Sequence, residues 1–389
     1  MIAPSRIKVL MLVDMLSSGG AERAAAGLAV SLPRERYEVC VVATRRGEGA
    51  LLDQLDAAGI RYEILGRKSR YDLAPLRRLS RMLRDEGFHV LHAHKFGSNL
   101  WGAIVGRASR VPVVVAHEHS WSYEGQRMRR ILDGQVIGRL ADVMVAVSTR
   151  DRELMTSVEG VPPEKTAYIP NAFVQRPHVA PGGDLRAELG LSPSASVVAT
   201  LAMLRPEKRI DLLIEAFAAV TREVDDAHLV VGGEGWMQEE WNALAERLGV
   251  AGRVHWLGMR EDVEGVLQAA DVAALSSERE GMPLFAFECM ATRTPLVATD
   301  VGGLRDVFPG GEGALLVPSG DAQALAEGLT ALLRSPERRR EMADLAHARL
   351  PEFSAERAAQ RIGELYERLL AKRGVLSPPA APQAAAPAL

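Results

Sequence analysis

Only two cysteines occur in the 389 residues, Cys40 and Cys289, and both lie in apolar surroundings. No disulfide framework can therefore hold the chain, and a reducing compartment is expected. No apolar run approaches the roughly 20 residues needed to cross a bilayer. The opening stretch, Met1 to Val13, leads straight into Asp14 and is too short for a secretory leader, so it reads as a first strand. No repeat of solenoid length is present, and the ordinary composition excludes a collagen-like, coiled-coil or wholly disordered chain. Aromatic residues amount to 5% and do not interleave with the basic clusters, which argues against a nucleic-acid partner. Net charge is also scarce, at −3.

That small net charge is a cancellation. Residues 1–170 carry 25 Lys and Arg against 19 Asp and Glu, and the remainder carries 22 against 31. The asymmetry fits two domains facing different partners, and the length allows about 150–200 residues for each. Much of the N-terminal excess lies in Arg67, Lys68, Arg70, Arg77, Arg78, Arg81 and Arg84. Arg77, Arg81 and Arg84 share one helical face, and Leu76, Leu79 and Leu83 another. A second cluster is Arg127, Arg129 and Arg130, followed by Ile131 and Leu132. One reading is a solvated helix face. The other is docking on an anionic membrane surface, where each basic residue adds roughly 1 kcal/mol.

Short apolar runs alternate with amphipathic stretches from end to end. The first series of strands is expected at Ile7–Val13, Tyr37–Ala43, Arg61–Leu65, Val90–His94, Val111–Ala116, Val143–Val147 and Thr166–Ile169. The second runs through Val197–Leu201, His228–Val231, Val254–Leu257, Val272–Ser276, Pro295–Ala298 and Ala314–Val317. Helices such as Ala21–Ser31 and Ala50–Ala58 fall between them. Such alternation argues for parallel sheets covered on both faces, hence an α/β chain of two Rossmann-like, doubly wound domains. The expected division is 1–174 for the first domain, a Pro- and Gly-rich linker over 175–183, and 184–353 for the second. A C-terminal helix over 354–374 would pack back toward the first domain, and an Ala/Pro tail over 375–389 would be disordered. Ligands of open parallel sheets bind beyond the carboxyl ends of the strands, so the cleft between the domains is the expected site.

Three stretches of the second domain follow strand ends. Gly232-Gly233-Glu234-Gly235 is a glycine-rich turn that lets backbone amides approach an anion or a sugar. Arg205-Pro206-Glu207-Lys208 precedes the helix Ile210–Val220 and sets two cations at its entry, suited to a diphosphate. Glu280 lies in a loop broken by Gly281 and Pro283, and Glu288 stands eight positions later on the helix that begins near Leu284. One carboxylate at the rim and one about a turn inside suit two hydroxyl-binding tasks better than a shared proton. The backbone of Gly281, Met282, Pro283 and Leu284, with its amides at every position but the proline, would border a positive helix end.

The run R-P-E-K-R-I-D-L-L-I-E-A-F, then G-G-E-G, then E-G-M-P-L-F-A-F-E-C-M-A, then P-L-V-A-T-D-V-G-G resembles glycosyltransferase family 4. Gly19-Gly20-Ala21-Glu22-Arg23 resembles the family's first-strand loop, and Ile169-Pro170-Asn171 the segment before its linker; about 350 residues are covered in the family's order. The resemblance implies the GT-B fold, with its two domains facing each other across a cleft. It also implies a UDP- or GDP-sugar donor and retention of anomeric configuration, with no required cofactor and no metal. Arg205 and Lys208 would bind the diphosphate and stabilise the departing nucleotide, and Glu288 would hold the ribose. Glu280, in the E-x7-E motif, would contact donor-sugar hydroxyls, with Gly233, Glu234 and the amides of residues 281–284 nearby. Gly19 and Gly20 would close over the donor. The family's pattern has alanine where Cys289 stands, a packing change.

His92 and His94 flank Ala93, and His117 and His119 flank Glu118, each pair at a strand end and on one side of it. Four imidazoles on adjacent strands can be buried structural groups or metal ligands. In the family, a histidine after the strand matching Val111–Ala116 lies near donor sugar and acceptor. His119 takes that place, with His117 two positions off as the alternative and His94 beside them on the acceptor side. The expected activity is transfer of a hexose to a saccharide, lipid-linked or small-molecule acceptor in polysaccharide or glycoconjugate biosynthesis. The protein would be cytoplasmic and peripheral to the inner membrane face. An epimerase or phosphorylase of the same architecture, or a carbohydrate-binding protein, is the alternative.

Overall fold

The computed structural model describes residues 5–17, 19–69, 71–120, 126–174 and 184–377. The first sheet comprises β1 (Ile7–Leu16), β2 (Tyr37–Gly47), β3 (Arg61–Ile64), β4 (Val90–His94), β5 (Val113–Glu118), β6 (Val143–Ala146) and β7 (Thr166–Tyr168). Its spatial order is β3-β2-β1-β4-β5-β6-β7. The second comprises β8 (Ser196–Leu201), β9 (Ala227–Gly232), β10 (Val254–Gly258), β11 (Val272–Leu275), β12 (Leu296–Thr299) and β13 (Ala314–Val317), in the order β10-β9-β8-β11-β12-β13. Every pairing within the two sheets is parallel, and both orders reverse beside the first strand of their sheet, as in doubly wound folds. The central strands are mostly apolar because helices cover both faces, while the edge strand β3 is not fully buried and carries Arg61 and Glu63.

The N-terminal sheet has one core on each face. One gathers Val9, Met11 and Val41, and the other Leu10, Leu12 and Leu91. Helix Ala355–Lys372 closes the first of these cores. Ser354 caps it by accepting from the Arg357 amide, and Ala359, Ile362, Tyr366 and Leu370 bury one stripe against the N-terminal domain. Arg36 fixes its outer side by donating to Glu367 at 2.7 Å. The chain thus returns to its first domain after completing the second. Phe173 and Ser354 form a bridge where the two crossings run side by side.

An apolar seam joins the domains. Val147, Tyr168 and Phe173 of the first pack with Met282, Leu284 and Phe287 of the second, and Phe353 stacks on Phe287 at 5.0 Å between centroids. Thr149 adds two hydrogen bonds to Asp306, at 2.8 and 2.6 Å. One expectation is corrected: Val375 and Leu376 do not begin a disordered tail. Leu376 is buried in the N-terminal core with Val375 packed beside it, since their side chains cover apolar surface at the end of the last helix. The linker 175–183 and the tail from 378 lie outside the described residues. Among the described residues no helix is long and apolar enough to cross a membrane.

Candidate active site

The second domain supplies a charged wall. After β8 the chain makes a short turn over Pro206–Lys208, and Arg209 adopts φ 48°, a left-handed conformation rare outside glycine. An ion pair from Arg209 Nε to Asp211, at 3.0 Å, holds it there. This bend aims Lys208 at the loop after β11, where its Nζ lies 2.6 Å from Glu280 Oε1. Ser277 Oγ donates to the same oxygen at 2.7 Å, and Ser276 Oγ donates to the Lys208 carbonyl at 2.9 Å. The two loops are thereby locked together, with the Lys208 side chain 24% exposed and that of Glu280 13%. Arg205 lies with its guanidinium 5.6 Å from the exposed Trp236 ring. Gly233, at φ 120°, donates to the Gly258 carbonyl at 2.7 Å, and a side chain there would strike the Ala202 carbonyl. Glu234 accepts through its carbonyl from the Leu204 amide. The turn after β9 is therefore fastened to the loop that carries Arg205.

The first domain supplies imidazoles. β4 and β5 pair with His94 opposite His117, so all four histidines line one side of the two strand ends. His92 Nε2 lies 3.1 Å from His117 Nδ1, and His94 Nδ1 lies 3.0 Å from His119 Nε2. The rings stack in pairs, with centroids 4.3 Å apart for His92 and His94 and 4.5 Å for His117 and His119. Burial, and then neighbouring rings, hold His92, His94 and His117 well below the usual histidine range. Burial, and then the Lys95 charge, lower His119 to about 3. All four are neutral at physiological pH. Ring nitrogens of His92, His94 and His117 lie within 4.8 Å of one another, a spacing that a metal ion could also use.

The two walls meet. Gly281 abuts His119 so closely that an ideal Cβ would lie 1.9 Å from the His119 carbonyl oxygen; only glycine permits this approach. Asn171 Nδ2 donates to the Met282 carbonyl at 3.0 Å. Gly20 opens helix Gly20–Ser31 opposite Leu284, and Gly19 abuts the Glu22 carboxylate. One turn into that helix, Arg23 donates to Glu288 Oε1 at 3.1 Å, bridging the domains. Lys95, at φ 70°, pairs with the buried Glu22 at 2.9 Å beneath the Gly19–Gly20 turn. Pro283 precedes helix Leu284–Thr292, on which Glu288 sits.

Two family models match this chain. The one described as Glycosyltransferase Family 4 covers residues 18–173, and the one described as Glycosyl transferases group 1 covers 183–349. The D-inositol 3-phosphate glycosyltransferase of Corynebacterium glutamicum is 30% identical over 313 residues, 74% of this chain and 74% of that protein. The chain belongs to the family 4 glycosyltransferases. EpsD of Bacillus subtilis is 32% identical over 182 residues, which is 47% of this glycosyltransferase and 48% of EpsD, about half the length of that relative. Anabaena HepE in complex with UDP-glucose superposes with a TM-score of 0.81 at 24% identity, covering 92% of this chain and 99% of HepE. Sucrose-phosphate synthase from Thermosynechococcus elongatus gives 0.75 at 22%, over 94% and 100%. These likenesses identify the fold as GT-B.

In this glycosyltransferase Lys208 and Glu280 touch directly, and Glu288 stands across the domain boundary from Arg23. His94, His117 and His119 line one cavity with Asn171, on the first domain's side. Among the described residues the ion pairs of Glu280 and Glu288 run to Lys208 and Arg23, and Arg205 lies apart over Trp236. Arg129, read with the exposed basic cluster, turns inward instead: it lies over the Phe96 ring and reaches Glu118 at 3.7 Å and Asp133 at 3.9 Å. Those two carboxylates are buried, and a nearby guanidinium offsets the cost of their desolvation. Arg70 lies outside the described residues. Arg23 and Tyr366 carry no local sequence signal of a site role, because their contacts span 265 and 274 positions.

Proposed function

We propose that the protein is a retaining hexosyltransferase that takes a nucleotide diphosphate sugar into the cleft and transfers the sugar to an acceptor held on the N-terminal wall. The observation that carries this reading is the direct contact of Lys208 with Glu280 on a loop whose Gly281 abuts His119. A cation and a carboxylate of the second domain thus lie on loops that touch the backbone of a neutral histidine of the first. Arg205 and Lys208 hold the diphosphate, and their fixed charge favours the negative charge that gathers on the leaving group. Glu288 takes the ribose hydroxyls and Glu280 those of the donor sugar. The backbone of Gly281, Met282, Pro283 and Leu284 lies along sugar and phosphates, with Gly233 and Glu234 beside them. Gly19 and Gly20 cover the donor, and His119, with His94 and His117, receives the acceptor. Donor binding requires Glu280 to exchange Lys208, and Glu288 to exchange Arg23, for substrate hydroxyls.

HepE is described in complex with UDP-glucose and with UDP. This supports a UDP-hexose as first choice over a GDP-hexose, with no further cofactor required. The acceptor is a saccharide, a lipid-linked saccharide or a small polyol, as the inositol phosphate glycosyltransferases among its relatives illustrate, and the setting is polysaccharide or glycoconjugate synthesis. Arg77, Arg78, Arg81 and Arg84 line an exposed face of helix Ala74–Glu86. Helix Arg127–Leu132 presents Arg127 and Arg130 beside Met128 and Ile131, which are 69% and 44% exposed. Basic and apolar groups side by side support docking on an anionic lipid surface at the cytoplasmic face of a membrane.

Thermal-shift measurement with UDP, GDP, ADP and their sugars tests the donor site, because a ligand at about 100 times its Kd stabilises by about 2.7 kcal/mol. A melting point raised by one nucleotide series supports the reading, and no shift with any of them contradicts it. Failure to sediment with anionic vesicles at low salt would remove the membrane part alone.

A further inference from the structure

Four buried imidazoles share a limited set of protons, and one phenol decides where some of them sit. Tyr366, on helix Ala355–Lys372, is fully buried with its hydroxyl 2.6 Å from His92 Nδ1, the one hydrogen bond it makes among the described residues. Accepting from His92 would leave the phenol's own O–H buried without an acceptor, at a cost of roughly 1–3 kcal/mol. Donating instead passes the unpaired hydrogen along the chain to His117 Nε2, at a cavity where an oxygen can accept it, so the phenol donates. Burial keeps Tyr366 protonated by raising it well above the ordinary tyrosine range.

A neutral His92 that accepts at Nδ1 carries its hydrogen on Nε2, which faces His117 Nδ1 at 3.1 Å. His117 then accepts at Nδ1 and carries its own hydrogen on Nε2. That nitrogen is buried and has no hydrogen-bond partner among the described residues. His117 lines the cavity that also touches His94, His119 and Asn171. Its backbone is clamped by Asn99, whose Nδ2 donates to the His117 carbonyl at 3.1 Å and whose Oδ1 accepts from the His117 amide at 3.2 Å. Among the described residues the pair His94 and His119 has no phenol at its head.

We propose that Tyr366 is a positioning residue which, through His92, presents His117 Nε2–H as a fixed hydrogen-bond donor to an oxygen of the acceptor substrate. The part played in transfer rests on the glycosyltransferase reading given above. The tautomer itself does not, so the two can fail separately. The C-terminal helix, which arrives after the whole second domain, thereby sets the chemistry of a residue that lines a cavity of the first.

Full-length protein labelled with 15N-histidine, studied by two-bond 15N–1H correlation, reads each tautomer without any substrate. The wild type is expected to show His92 and His117 each with a bare Nδ1 and a protonated Nε2, and Tyr366→Phe to lose that single tautomer at His117. A wild-type His117 protonated at Nδ1, or an unchanged His117 in the Tyr366→Phe protein, overturns the proposal. Should that variant not fold, the wild-type spectrum, assigned with His117→Gln, still decides the first point. Resonances of these nitrogens that move on EDTA treatment would mean a bound metal in place of the protons, and also overturn it. In transfer assays Tyr366→Phe should raise the acceptor KM about tenfold and leave the donor KM unchanged; a loss shared by both would reduce Tyr366 to a structural role.

Discussion

Replacing Lys208 with alanine probes the donor site most simply. At about 4 Å from a phosphate charge, and with an effective dielectric constant of 20, an ammonium group is attracted by about 4 kcal/mol. Only part of that is realised on binding, because Lys208 must first leave Glu280, 2.6 Å away. Glu280 keeps the Ser277 hydroxyl at 2.7 Å and gains substrate hydroxyls, so the exchange is not prohibitive. Charge-assisted hydrogen bonds contribute roughly 1.5–3 kcal/mol net, which corresponds to a UDP Kd about 10- to 150-fold weaker in Lys208→Ala. Stability should change less. The pair is partly solvated and the carboxylate stays hydrogen-bonded, so the melting point should fall by no more than about 2–4 °C. Calorimetric titration of UDP into both proteins at physiological salt, beside thermal melts, separates the two effects. An affinity kept within about twofold in a folded variant would refute the assignment of Lys208 to the diphosphate.

Gly281→Ala would drive a methyl group against the His119 carbonyl and part the walls. Sugar transfer should fall about 100-fold, as for a misplacement of about 1 Å, while each domain keeps its core; unchanged transfer would contradict the close approach. Arg23→Ala removes the bridge to Glu288, which contributes about 1 kcal/mol to the closed arrangement. Small-angle scattering of the donor-free protein should then give a larger radius of gyration, and identical curves would show that the seam alone holds the domains. Acid stability reports the buried imidazoles. His119 titrates near 3 when folded and near the ordinary 6.5 when unfolded, so its contribution is constant above about pH 6.5. Between about 6.5 and 3 only the unfolded chain takes the proton, and stability falls by up to about 1.4 kcal/mol per pH unit. Denaturation midpoints of His119→Gln should therefore depend less steeply on pH than those of the wild type; parallel slopes would mean that His119 is already charged in the folded state.

The thirteen strands were legible because most of them are buried on both faces, so Val113–Ala116 and Ala314–Val317 stand out as uninterrupted apolar runs between helices. Strand ends were harder to read. β1 and β2 run on to Leu16 and Gly47 because their pairing resumes after an irregularity between Val13 and Met15. On the C-terminal wall Arg205, Lys208, Gly233, Glu234 and Glu280 stood out because they lie in loops that follow strands, and Glu288 because it stands eight positions after Glu280 on the next helix. What could not be read were contacts made only by tertiary approach. Arg23 meets Glu288 across the domain boundary, and Tyr366 meets His92 through the helix that returns to the first domain. Arg129 was misread for the related reason that its burial depends on Glu118 and Asp133, carboxylates set inward by the surrounding fold.

The central claim is that the bond between a hexose's anomeric carbon and the nucleotide's diphosphate is broken in the cleft, and that the sugar is passed on with its anomeric configuration retained while the nucleoside diphosphate leaves. Proton NMR of the purified protein with a panel of α-linked UDP- and GDP-hexoses, following donor loss and the first sugar anomer released to water or acceptor, tests it directly. Consumption of one donor of the panel with the α anomer appearing first is the predicted result. A β anomer appearing first, or no donor consumed, would contradict the account.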